Sequence, residues 1–318
     1  MKCTGSKQAI AGLAACAIVT IAMLATAPTT QAAIIVVDDS WADGGRDDGA
    51  DPLDSNWWTS ANSNGIEVSV GSLGMVTGTS GRGIHTVFPT QTLTAIGRKL
   101  VAKYTFTTPP TVGAGGTAGF RVGLFDTLGR AGLNADITAS SGSPNSVYGY
   151  YATGTPGLPG YMMDMDVRTG AEDLSFRQLE TAVNVPAQTP TGRLMGTTSG
   201  FTQLSPTGPD GVYSFAPNTT YTGSLTIKRV SATEMELTGT LGPASHTLTD
   251  VFDSSSIGML AFWANSNLFG SSGTPNTPDN GIDFSNVMIL VVPEPASMLL
   301  LGVGSLLLAF RRRVRPGI

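Results

Sequence analysis

The chain has 318 residues, a formal net charge of −5 at pH 7, 13% charged residues and 40 glycines. A chain this acidic and this poor in Lys and Arg lacks the basic footprint of a nucleic-acid binder. Its only cysteines, Cys3 and Cys16, lie near the N-terminus, so everything downstream is without a disulfide framework, a thiolate nucleophile or a Cys-ligated metal.

Residues 1–32 read as a secretory signal peptide. Lys2 and Lys7 supply the charged start, Ala9 to Ala25 the apolar stretch, and Thr30-Gln31-Ala32 a small-x-small cleavage site before Ala33. Ala25-Thr26-Ala27 is a second match, disfavoured because Pro28 follows. Leu13-Ala14-Ala15-Cys16 also fits a lipoprotein box, which would acylate Cys16. Against that, the apolar run continues past Cys16. Without the two ends, 12 of the 18 basic residues and 22 of the 23 acids remain. The exported body therefore carries a charge of about −10 and tolerates divalent cations.

Residues 33–291 read as one β domain. Thr-rich segments punctuated by Gly predict many short strands joined by turns. Asp38 to Asn56 is an acidic, Gly-rich segment carrying Trp41, and it reads as a loop with aromatic anchors; Trp57 and Trp58 follow. Ile66 to Val70 alternates like a half-buried strand. Lys99 to Thr107 sets Leu100, Ala102, Tyr104 and Phe106 on one face, and Phe120 to Phe125 does the same with Phe120, Val122 and Leu124. Gly129 to Gly160 is a long polar excursion carrying Tyr148, Tyr150 and Tyr151, of a length usual for functional or cavity-covering loops. Tyr161 to Arg168 has Tyr161, Met163, Met165 and Val167 on one side, and Met162, Asp164, Asp166 and Arg168 on the other. Leu174 to Leu179 continues the pattern, and Thr181 to Gly211 is loop-like. Tyr221 to Val230 and Met235 to Thr240 read as an antiparallel pair. Ile257 to Ala264 is apolar throughout, as in a strand covered on both faces. Ile282 to Val292 closes the domain.

Residues 292–318 have a different character. Pro293-Glu294-Pro295 stands before about 15 uncharged residues, Ala296 to Phe310, and Arg311, Arg312 and Arg313 follow. This order resembles the PEP-CTERM sorting signal of bacterial surface proteins. The resemblance implies an apolar sorting helix held transiently in the inner membrane, with the arginines on the cytoplasmic side. It also implies an exosortase-type transpeptidase as processing partner, cutting near Pro-Glu-Pro, and an exported, cell-surface or matrix protein. A plain, uncut C-terminal anchor is the competing reading.

Tyr104-Thr-Phe before a Gly-rich turn, Gly119 to Asp126, Tyr221 to Arg229 and Gly281 to Val287 together resemble strands of a concanavalin A-like jelly roll, the lectin and glucanase β-sandwich. The resemblance implies an all-β fold of two antiparallel sheets, flanked by the signal peptide and the sorting helix, with a concave face that often binds sugar. A fold does not fix a function.

Several residues are candidates for chemistry. Asp164 and Asp166 share a strand face and form the nearest thing to a glycosidase carboxylate pair. The Glu-x-Asp-x-x-Glu pattern of the glucanase branch is not met, and the plainer reading pairs these acids with Arg168 or Arg177. Tyr148, Tyr150, Tyr151 and Trp57 are the expected sugar-stacking rings, with Asp164 and Asp166 as hydroxyl partners. Trp263 reads as core. Asp43, Asp47 and Asp51 are weak ligand candidates for a structural calcium, and Asp279, Asn280 and Asp283 form a second such group. No other cofactor is expected. His85 and His246 stand in no nucleophile or metal motif and read as strand or turn residues. The leading expectation is a non-catalytic surface or matrix protein associated with extracellular polysaccharide. A hydrolase or lyase using Asp164 and Asp166, and a purely structural coat protein, are the alternatives.

Overall fold

Period-two alternation carries most of this chain into strand. The computed structural model describes residues 32–47, 53–59, 66–76, 81–112, 119–129, 133–136, 158–167, 173–179, 195, 201–208, 214–251, 254–265, 268 and 281–294. Among them there is no helix, and so none long and apolar enough to cross a membrane. The expected signal peptide and sorting helix lie outside the described residues.

The strands in chain order are β1 (Ile34–Asp39), β2 (Trp57–Thr59), β3 (Ile66–Ser69), β4 (Ser72–Val76), β5 (Arg82–Thr92), β6 (Lys99–Thr107), β7 (Gly119–Phe125) and β8 (Gly160–Asp166). They continue with β9 (Asp173–Leu179), β10 (Thr202–Gln203), β11 (Thr220–Arg229), β12 (Glu234–Leu241), β13 (Ala244–Val251), β14 (Ser256–Ala264) and β15 (Gly281–Val292). One sheet runs β13-β12-β11-β6-β15-β4-β3, with β1 also paired to β15; the other runs β10-β9-β8-β7-β14-β5-β2. The pairings are antiparallel, and the chain crosses repeatedly from one sheet to the other. This is the jelly-roll sandwich that the sequence resemblance implies. Residues 33–292 form one compact unit.

The two sheets meet face to face through the alternate side chains expected from the sequence. Leu100, Ala102, Tyr104 and Phe106 of β6 are buried, as are Phe120, Val122 and Leu124 of β7, and Leu225, Ile227, Met235 and Leu237 of the β11–β12 hairpin. An aromatic cluster joins the layers. Phe262 of β14 lies 6.2 Å from Trp57 and 6.4 Å from Phe120 on its own sheet. Across the gap it lies 5.3 Å from Tyr104 and 4.6 Å from Phe284. These spacings suit edge-to-face and offset aromatic packing.

The segment read as a loop from Asp38 begins as strand instead. Ile34 to Asp39 pair with β15, Asp39 opposite Val287, because Ile34-Ile-Val-Val37 offers a row of β-branched residues beside the central strand. The aromatic anchoring expected of that segment is present, since Trp41 is buried against Trp57 at 5.7 Å. Phe262→Ala is expected to cost about 3–5 kcal/mol, read as a lower denaturant midpoint at unchanged slope.

Candidate functional site

The face of the β10-to-β2 sheet that points away from the core carries the chemistry. Alternation places Arg121, Gly123 and Phe125 of β7 there, with Met162, Asp164 and Asp166 of β8, Arg177 of β9, His85 of β5 and Trp263 of β14. A second apolar cluster covers much of this face. Leu133, Leu158 and Met195, from the ends and middle of the long excursions, pack with Phe125, Met162, Met259, Ala261 and Trp263. The fit is close: a Cβ added at Gly123 would meet Met195 Sδ at 2.7 Å.

Polar contacts pin the cover down. His85 Nε2 lies 2.8 Å from the Leu133 carbonyl, and its ring packs on Trp58 at 5.5 Å. Arg46 donates to both oxygens of Asp136 at 2.8 and 2.6 Å, and the Thr59 N–H donates to Asp136 Oδ1 at 3.0 Å. Arg121 Nη1 donates to the Met195 carbonyl at 2.5 Å. Burial pushes the Asp136 carboxyl up, but the bonds from Arg46 and Thr59 outweigh it and hold the group below its ordinary range. Burial drives His85 down to about 4, against smaller opposing pulls from the Leu133 carbonyl and Asp136.

Asp164 sits between two guanidinium groups. Arg121 Nε donates to Oδ1 at 2.6 Å and Arg177 Nε to Oδ2 at 2.7 Å. The Asp164 side chain is 13% exposed. The expected partner Arg177 is therefore found, and Arg121 is a partner that strand pattern alone did not point to. Arg121 stands directly opposite Asp164 in the β7–β8 register, and that pairing is a tertiary fact. Asp166 lies two residues on at the strand end, where its backbone N–H donates to Asp173 Oδ1 at 3.0 Å. Arg168 lies outside the described residues.

Trp57 is not an exposed sugar platform. It is 1% exposed, and its Nε1 donates to Asp39 Oδ2 at 2.7 Å. Its side of β2 faces the core, and Trp58 takes the other side. Trp263 is buried as expected, under the cover, with Nε1 donating to Asn265 Oδ1 at 3.0 Å. Tyr148, Tyr150 and Tyr151 lie outside the described residues, as do Asp51, Asp279 and Asn280. Asp43 and Asp47 are exposed, and Asp283 lies in β15. Asp39 spends its oxygens on the Trp41 and Ser55 N–H groups and on Trp57. Among the described residues no three His, Asp or Glu side chains are grouped to hold a metal ion. His85 and His246 both lie in strands, His246 with Nε2 3.0 Å from the Pro206 carbonyl and its ring 5.5 Å from Phe176.

Where β15 ends, Pro293 is partly buried and Glu294 is exposed. Residues 291–313 match the model of the PEP-CTERM protein-sorting motif. The chain ends in a PEP-CTERM sorting motif. That motif marks an exported, cell-surface protein, and it begins inside the last strand. No curated protein matches the chain. Among solved structures the chain is similar to the metal-free Emp46p carbohydrate recognition domain, at 10% identity over 73% of this chain and 87% of that one, with a TM-score of 0.39. It is similar to an endo-1,3-beta-glucanase from Streptomyces sioyaensis at 12% identity over 84% and 98%, with a TM-score of 0.42. It is also similar to alginate lyase vAL-1 from Chlorella virus at 11% identity over 74% and 92%, with a TM-score of 0.41. At these scores none of them assigns a site or an activity to this chain.

The buried His85 has a consequence for stability. Its folded value of about 4 lies below the ordinary 6.5. Between those pH values the unfolded chain takes up a proton that the folded chain refuses, so stability falls as pH drops through this window, by up to about 3 kcal/mol. Denaturant titrations from pH 7 to pH 4 are expected to show that slope, and His85→Gln is expected to flatten it.

Proposed function

We propose that this chain is a non-catalytic surface or matrix protein, exported, processed by an exosortase-type transpeptidase at the PEP-CTERM motif, and associated with extracellular polysaccharide. The observation that carries the non-catalytic reading is the state of Asp164. Glycoside hydrolysis by a carboxylate pair needs one carboxyl free to protonate the leaving oxygen and another free to attack or to activate water. Both oxygens of Asp164 are engaged by Arg121 and Arg177. The strand face around it is roofed by Met195 and its apolar neighbours. An ion triad of this kind holds a cover in place.

Polysaccharide contact is assigned to Tyr148, Tyr150 and Tyr151 as the stacking rings, on their residue type and clustering in the sequence. An acidic body suits neutral glycans, whose ring C–H groups pack on aromatic faces while carboxylates accept from hydroxyls. Structural calcium belongs to this proposal as a variable of the binding test. Asp164→Asn leaves one guanidinium short of its partner and is expected to destabilise the sandwich by about 3 kcal/mol, since breaking a mostly buried pair costs several.

The test is a glycan-array screen of the exported form with and without calcium, joined to a reducing-end assay on every glycan retained. Retention without product is expected, lowered at least about tenfold when Tyr148, Tyr150 and Tyr151 are replaced by Ala. Product release that disappears in Asp164→Asn with Asp166→Asn would replace this reading by a hydrolase or lyase. No retention under either condition would leave a structural coat protein.

A further inference from the structure

The exposed large apolar side chains are not scattered. Among the described residues they are Ile34, Ile35, Val70, Ile96, Leu128 and Val251. All but Val70 lie at one end of the sandwich, and it is the end where the chain passes into the sorting motif. Ile34 pairs with Val291, and Val292 stands opposite Lys99 at the start of β6. Ile96 is in the turn leading into that strand, a turn tied to β11 by the Gly97 N–H donating to the Arg229 carbonyl at 2.7 Å. Lys99 pairs in turn with Lys228, and Glu234 with Val251 at the end of β13. The other sheet closes the ring. The Leu93 N–H donates to the Ser255 carbonyl at 2.7 Å, and Ser254 Oγ donates to Asp126 Oδ2 at 2.6 Å, just before Leu128.

The charges at this end also differ from those of the rest. Arg98, Lys99, Lys228 and Arg229 stand there with Asp126, Glu234, Glu236, Asp250 and Glu294, with Lys228 donating to Glu236 at 3.0 Å. An exported body carrying about −10 is repelled by an anionic bilayer over most of its surface. This nearly balanced, apolar-rimmed end is the part where the repulsion is weakest.

We propose that this end is a lipid-facing surface. Ile34, Ile35, Ile96, Leu128 and Val251 rest in the headgroup layer of the bilayer that holds the apolar tail, which begins only a few residues after Val292. The inference rests on the reading that residues 296–310 enter a membrane. Short exposed aliphatic side chains gain free energy at the acyl boundary, and tethering supplies the high local concentration that such a weak contact needs. The contact sets the Pro293-Glu294-Pro295 segment at the membrane surface, within reach of a membrane-embedded transpeptidase.

The chain from residue 33 to residue 318 has no cysteine, so single probes report cleanly. A bimane label is placed at Ile96→Cys, Val251→Cys or Leu128→Cys, and as control at Pro217→Cys, exposed in the turn before β11 at the opposite end. The protein is assembled into phosphatidylglycerol–phosphatidylcholine nanodiscs containing a headgroup-spin-labelled lipid. Quenching at the three test positions is expected to exceed that at the control at least about threefold. Ile96→Glu with Val251→Glu is expected to bring the Leu128→Cys signal down to within about a factor of two of the control, which separates docking from mere tethering. Co-elution with the discs but equal quenching at all positions would overturn the docking surface alone. Failure to co-elute would overturn tail insertion, and the docking surface with it. Protection of the three positions that grows with protein concentration and ignores the lipid would give the face to a second copy of the chain and also overturn the proposal.

Discussion

The fold depends on the burial of two aromatic faces against each other. Phe262, Trp57 and Phe120 on one sheet meet Tyr104 and Phe284 on the other. Residues 33–318 hold no cysteine, so apolar burial and ring packing must hold the sandwich together without a disulfide. It also fixes the register of everything else. Once Phe120, Val122 and Leu124 point inward, Arg121 must point outward, and Asp164 across the ladder must meet it. The ion triad on the outer face is thus a consequence of the core.

On the outer face of the β10-to-β2 sheet the protein covers its own charged side chains. In this chain the sheet face is roofed by Leu133, Leu158 and Met195. The roof is fastened through buried groups, His85 to Leu133 and Arg121 to Met195. Charges on the face are spent on each other. A covered face leaves the periphery for contacts, and Leu133, Leu158 and Met195 belong to the packed body. The sorting motif overlaps the last two residues of a central strand, so Val291 and Val292 belong both to the folded domain and to the motif.

Strands with strict alternation were legible in the sequence: β6, β7, β8 and the β11–β12 hairpin stand where period two places them, and β14 stands where an unbroken apolar run marks a strand covered on both faces. β5 and β13 were not. β5 carries Pro89 and a Gly-Ile-His-Thr start, and β13 reads Ala-Ser-His-Thr-Leu-Thr-Asp-Val, in which Thr and Ser blur the apolar signal. β1 was hidden because Ile34 to Val37 does not alternate and stands next to an acidic stretch. At the site, period two did place Asp164 and Asp166 together, and Arg177 near them. It did not point to Arg121, because strand adjacency is decided by pairing partners far apart in the chain. Trp57 is buried rather than a surface ring, because alternation says that one of two neighbouring tryptophans is buried without saying which; the Asp39 carboxylate, which takes the Trp57 N–H, decides it.

The central claim is a passive sandwich delivered to the cell surface by its tail. The most direct measurement is the mass of the C-terminal peptide of the protein recovered from the cell-surface and matrix fraction. The account predicts a chain that ends within Pro293 to Pro295, and a protein lost from that fraction when residues 293–318 are deleted. Recovery of surface protein with residues 296–318 still attached, or surface delivery that survives the deletion, would contradict it.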